Sequence, residues 1–411
     1  KASGYRLVPG LTAYLSAALA AGKKLPEGRF RQWLSLTDSV VRHENISRAN
    51  RYFISSGLFF QHQALRDDRT FRLIAHVPDF DFEFRNAMNN DQDTTSVESD
   101  TVLNINYPSW VHPQSPVQLN GALLNFRKIN IRAVIGVDSI LIEQASGSYS
   151  MSDQIFSGTG GVIRWKDSGY DLPGVDYRIS GPWSIDVSKS EIRIEQGRLS
   201  YAGMLANPVF GTLTFKVSQE KHQTKRNPVF QSFESNIHQN RLTYPGLDFR
   251  GGLTLSGSEK TNASVSGDPS ILELTTDKIR RFTIAAAHFD FKDSTASVKD
   301  ASVKIFHGRD SIFHPSVDVV FDAANSRMLL SKSKGKFKDA PYASTYFGVD
   351  FSAERLRWDL KTDSIDIYSE SAAAQAPVVI ESRTHFNLSD FLLLGGAGFS
   401  FHPVVLVSTY A

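Results

Sequence analysis

The chain has 411 residues, with 45 Lys plus Arg against 43 Asp plus Glu, and no cysteine. That length allows two or three domains or one large repetitive one, and 41% apolar with 21% charged residues describes a globular chain. A net charge of +2 gives no whole-chain basic field for nucleic acid, and zero cysteine excludes disulfide scaffolds, thiol catalysis and cysteine-ligated metals.

Lys1 stands where an initiator Met would be, so the chain is expected to be a processed or excised product. Leu11 to Ala21 is apolar and Ala-rich, at helical spacing, but Gly22-Lys23-Lys24 closes it before it reaches a bilayer-spanning length. Phe30, Trp33, Leu34 and Leu36 follow Pro26 at helical spacing. A third helix is expected to start on Ser47 and run through Phe53, Leu58 and Phe59, with Ser55-Ser56-Gly57 as a break point. Residues 1–75, read as an N-terminal helical segment, carry twelve Lys/Arg and five Asp/Glu, whereas 76–101 carry seven acids and one Arg.

The period changes at Pro78. Asp79-Phe80-Asp81-Phe82-Glu83-Phe84 alternates strictly, as a strand with one buried face does. From there, short β-type runs begin about every ten residues, separated by Gly, Ser, Asn, Asp and Pro. Residues 76–411 are therefore expected to form a repetitive β domain. The expected fold is mainly β, either β-solenoid/β-helix-like or stacked sheets, with a small helical segment ahead of it. Asp-Ser-Ile recurs at Asp138, Asp310 and Asp363, and His-Pro at His112, His314 and His402, without an even period. Phe391 to Val407 is free of formal charge yet falls just short of a ~20-residue span, and reads as buried strand-turn-strand. No transmembrane segment is expected, and the chain reads as soluble.

Recognisable chemistry is sparse. No two of the 11 histidines stand within four positions, and in His43-Glu44 the second zinc-protease His is replaced by Ser47. Asp91 and Asp93, with Glu98 and Asp100, suggest a weak calcium loop, but Thr95 and Ser96 replace an oxygen ligand and the turn glycine; a solvated acidic loop is the other reading. Asp79, Asp81 and Glu83 share a strand face and could do acid–base work on a glycan or simply face solvent. Gly158-Thr159-Gly160-Gly161 lacks dinucleotide-fingerprint spacing and runs into a strand. Lys332, Lys334, Lys336 and Lys338 alternate, so a strand there would show four ammonium groups on one face, either gripping a polyanion or guarding an edge. Trp110 with His112, Trp165, Tyr170, Trp183 and Tyr201 lie near turns, where they could stack on sugars or anchor a core. No cofactor is called for.

The stretch Asp138 to Tyr149, followed by Phe156-Ser157-Gly158-Thr159-Gly160-Gly161-Val162-Ile163-Arg164-Trp165, resembles a large uncharacterised family of envelope-directed proteins of Bacteroidota. Gly251-Gly252, Asp310 to Pro315 and Phe401-His402-Pro403 extend the resemblance over roughly residues 50–405. It implies a periplasmic, outer-membrane-associated or extracellular setting and brings no activity, cofactor or catalytic residue. The leading expectation is a non-catalytic envelope β-scaffold that binds a glycan, lipid or protein partner, a lipid-carrying groove being one form of it. The alternative is a polysaccharide hydrolase or lyase on a β-helix or jelly roll. A transmembrane barrel is disfavoured, because the strands look shorter than the ~9–11 residues a bilayer requires.

Overall fold

The computed structural model describes residues 8–76, 79–86, 116–217, 228–231, 238–239, 244–263, 267–292, 294–335, 337, 339–345, 348–368, 379–382, 398–401 and 406–409. The fold is mainly β, led by three helices, and divides into two compact units, residues 1–202 with 208–231 and 255–259, and residues 203–207 with 232–254 and 260–411.

The helices are α1 (Val8–Lys24), α2 (Glu27–His43) and α3 (Ile46–His62). Asn45, not Ser47, caps α3, because its side chain accepts from the Arg48 amide at 3.0 Å. Ser55-Ser56-Gly57 does not break α3. These small residues are buried, and Gly57 faces the α1 backbone at Ala17, where a Cβ would make an ordinary contact at 3.6 Å. Trp33 and Tyr52 are fully buried between the helices, and the Tyr52 hydroxyl lies 2.9 Å from that of Thr37. α3 ends at Gln63, whose left-handed φ of 51° turns the chain into the first strand.

The sheet of the first unit contains β1 (Ala64–Asp67), β2 (Arg72–His76), β3 (Asp81–Arg85), β4 (Gly121–Ile135), β5 (Asp138–Ser150), β6 (Ile155–Thr159), β7 (Val162–Arg164), β8 (Val175–Ile179), β9 (Pro182–Asp186), β10 (Glu191–Tyr201), β11 (Val209–Lys216) and β12 (Val229–Gln231). Each long strand carries two short ones end to end. β4 pairs with β3 through one half and β2 through the other; β5 pairs likewise with β6 and β7. β6 continues to β9 and β7 to β8; β10 follows β8 and leads to β11.

The joints between the halves line up. β4 is bulged between Phe126 and Ile131, Gln144 in β5 has φ 58°, and Gly160 and Gly161 separate β6 from β7 with φ 66° and 122°. Ser180-Gly181 separates β8 from β9, and β10 is bulged between Ile194 and Gly197. The result is one crease crossing successive strands, each locally kinked where its ladder is interrupted. Phe59 of α3 meets Phe126 at 6.0 Å between ring centroids, Phe126 meets Phe156 at 6.4 Å, and Phe156 meets Trp183 at 5.2 Å, which makes an aromatic spine beneath the helices.

The second unit repeats this plan around the hairpin Thr295–His307 and Asp310–Asp322. Thr295–His307 pairs with His288–Lys292 through one half and Ile279–Ala286 through the other, while Asp310–Asp322 pairs with Arg327–Lys332 and Tyr342–Ser344. Its crease passes through bulges at Val298–Val303, with Asp300 at φ 52°. The Asp-Ser-Ile recurrence has a structural counterpart. Gly136-Val137 and Gly308-Arg309 are two-residue turns, Gly136 and Gly308 have φ 62° and 60°, and Asp138 and Asp310 open the returning strand. Glycine in the first central position suits the type II′ turn that matches strand twist. The pairings in both units are antiparallel. A β-helix stacks its strands in parallel, so the architecture is a creased antiparallel meander, and the solenoid form of the expectation gives way to the sheet form.

Candidate functional site

The alternating strand directs Phe80, Phe82 and Phe84 at the helices, where they meet Phe59 at 5.2 Å, Phe60 at 6.3 Å and His43 at 5.5 Å between ring centroids. The carboxylates between them are each held. Arg29 of α2 donates to Asp79 at 2.6 Å and Asp81 at 3.0 Å, and Glu83 accepts from Asn125 at 2.6 Å and Arg85 at 2.9 Å. Asp79 and Asp81 thus tie α2 to this strand, and no local pattern announces their partner Arg29.

Trp165 and Trp183 are core residues that donate inward. The Trp165 indole N–H bonds the Gly257 carbonyl at 2.8 Å, and that of Trp183 bonds the Gly160 carbonyl at 2.9 Å. Neither ring offers a face to a sugar. Tyr201 is half-buried at the end of β10, and half-buried Tyr170 reaches Asp138. Trp110, His112, Asp91 and Asp93 lie outside the described residues.

Of the lysine stripe, Lys332 ends its strand and Lys334 sits in a bend beyond it, both exposed, with buried Ser333 between them bonded to the Asp300 carboxylate. Lys336 and Lys338 are outside the described residues. Lys332 itself lies 3.5 Å from Asp339.

At the creases, several polar groups satisfy backbone or side-chain partners where the ladder is interrupted. A bulge frees backbone donors and acceptors that must be satisfied locally. In the first unit the Gln144 amide donates to Asn130 at 2.9 Å, Trp183 caps Gly160, and the Tyr177 hydroxyl donates to the carbonyls of Ile194 at 2.9 Å and Gly211 at 3.0 Å. In the second, Asp300 accepts from Ser316 and Ser333, and His314 accepts from the Ser316 amide at 3.0 Å through Nδ1. His314 Nε2 donates to the Ala340 carbonyl at 2.9 Å.

Ser316, His314 and Asp300 superficially suggest a hydrolytic triad. The required links are absent: both imidazole nitrogens engage the backbone, and Ser316 gives its proton to Asp300 rather than to the histidine. His314 thus bridges the backbone at Ser316 and Ala340.

Burial lowers the His314 pKa, as does the positive charge of Lys332, against the backbone hydrogen bonds at Ala340 and Ser316. Above the unfolded value of about 6.5 both states are neutral there; below it the unfolded chain takes up a proton the folded chain resists. Stability is therefore expected to fall as pH drops below 6.5, by at most ~1.4 kcal/mol per unit from this group. Urea midpoints between pH 7.5 and 5.0 measure this, and H314Q should flatten the slope.

A further polar cluster holds the end of the second sheet. Asp363, with φ 55°, pairs with Arg281 at 2.5 Å, accepts from the Trp358 indole at 3.1 Å and lies 3.7 Å from His307. Among the described residues no group of three His, Asp or Glu side chains is placed to hold a metal ion. Nor is any helix there long and apolar enough to cross a membrane. Comparison with family models, curated proteins and solved structures finds no match to this chain.

Proposed function

We propose that this protein is a non-catalytic β-scaffold of the cell envelope that presents its sheet faces to a protein, lipid or glycan partner. One observation carries this reading. Among the described residues, the candidate side chains are engaged structurally: Asp79 and Asp81 on Arg29, Glu83 on Asn125, His314 on the crease, and Trp165 and Trp183 on backbone carbonyls. A glycan-cleaving site needs two carboxylates flanking the scissile bond, roughly 5–10 Å apart across an open cleft. The three candidates share one strand face and bond structural partners instead. The envelope setting rests on the family resemblance.

Purified protein incubated with a panel of neutral and acidic polysaccharides is expected to release no product. Release of oligosaccharide that E83Q or D81N abolishes, with the melting temperature unchanged, would replace the scaffold with an enzyme.

A further inference from the structure

The first helix is built inside out. Its small residues Ala17, Ala20 and Ala21 face the protein and are buried, while Leu11, Leu15 and Leu19 are 54%, 51% and 64% exposed. Steps of four place these leucines in one row along the helix, and the next step reaches Lys23. A helix whose outer face meets water normally carries the reverse pattern. Thr12 and Ser16 flank the row, and Gln61 of α3 donates to Ser16 at 3.3 Å.

The charges beside the row select its occupant. α1 contains no acidic residue and ends in exposed Lys23 and Lys24. Most other cations of the helical cap are neutralised: Arg29 by Asp79 and Asp81, Arg31 by Glu27, Arg42 by Asp38, and Arg48 by Glu44 and Asp153. Lys23 and Lys24 make no ion pair among the described residues.

We infer that α1 docks on an anionic lipid surface, lying in its plane with Leu11, Leu15 and Leu19 in the acyl boundary and Lys23 and Lys24 on the headgroups. The row from Leu11 to Lys23 is about 18 Å long, the footprint of an interfacial rather than a spanning helix. A second copy is the weaker occupant. Three leucines fall far below the ~800 Å² per partner that a stable protein interface buries, and α1 offers no carboxylate to another copy's lysines. This docking goes beyond the scaffold reading and does not depend on it, since the helix face would engage lipid whatever the sheets do.

The test is co-sedimentation of the full chain with vesicles of phosphatidylcholine, with and without phosphatidylglycerol. Binding is expected only where phosphatidylglycerol is present, weakening as salt rises. The pair K23Q/K24Q should lower partitioning about thirtyfold, roughly fivefold per lysine. The triple change L11Q/L15Q/L19Q should lower it about tenfold or more, with the circular dichroism of the parent chain. Because the lysine pair lies outside the packed face, it reads the proposal even if the leucine variant folds poorly. Absence of binding to phosphatidylglycerol vesicles, or equal binding by parent and lysine variant, overturns it. So does a concentration-dependent dimer, abolished by L11Q/L15Q/L19Q, in a chain that ignores vesicles.

Discussion

Replacing Gly197 by alanine should cost the first unit about 2–6 kcal/mol, more than removing the hydroxyl of the tyrosine that lies across it. Gly197 sits at the bulge of β10, opposite Ile179 on one side and Gly211 on the other. The fully buried Tyr177 ring runs diagonally over it, with its hydroxyl fastened to the carbonyls of Ile194 and Gly211. A Cβ on Gly197 would fall inside van der Waals contact of the ring carbon that carries the hydroxyl. The ring has nowhere to go without releasing two buried carbonyls. G197A therefore combines overpacking, about 1–3 kcal/mol, with the loss of hydrogen bonds at the crease, about 1–3 kcal/mol more. Y177F forfeits only the second part. Urea denaturation of G197A, Y177F and parent chain should rank them in that order. A G197A midpoint equal to the parent's would mean the crease does not need the glycine.

That pair shows what the sequence discloses and what it withholds. The alternation of Asp79 to Phe84, the short β-type runs and the apolar spacing ahead of Pro78 were enough for a mainly β chain with a helical head. Asp-Ser-Ile even marked the returning strand of both long hairpins, because a two-residue turn imposes local residue preferences. The creases were not legible. A bulge depends on which backbone groups fail to find a partner across the sheet, and that partner lies far away in sequence: Tyr177 is 34 positions from Gly211, and Trp165 is 92 from Gly257. For Trp183 the sequence favours a core role over a sugar-stacking one but does not name its partner, the Gly160 carbonyl at the crease. Period two at Lys332 to Lys338 describes a strand, whereas the described strand ends at Lys332, and the Ser333–Asp300 contact just beyond it links positions 33 apart in sequence. Arg29 was invisible because its value comes from Asp79 and Asp81, 50 and 52 positions on.

The largest loss is expected at Gly121, where the helical cap is bolted to the sheet. Glu44, at the end of α2, has a side chain only 5% exposed, and it accepts from Ser152 at 2.6 Å and from Arg48 at 3.4 Å. Arg48 also grips Asp153 and the Asn120 carbonyl, Arg51 donates to the Ser152 carbonyl at 2.7 Å, and Ser150 donates to Asp153 at 3.2 Å. Gly121 lies beneath this network with φ 84°, and a Cβ there would overlap the Glu44 carboxylate and come within 2.8 Å of the Arg48 guanidinium. G121A thus adds left-handed strain of about 1–2 kcal/mol to the displacement of a nearly buried charge from its partners, a loss of about 3–5 kcal/mol. In a unit of this size that lowers the melting temperature by on the order of 10 °C or more. Removing the carboxylate that the new methyl group strikes should return part of the loss. G121A/E44A is expected to be more stable than the sum of the two single changes predicts, by about 1 kcal/mol or more, because the residues share one contact. Strict additivity in that cycle would show that Glu44 and Gly121 do not meet, and that something other than this network fastens the helices to the sheet.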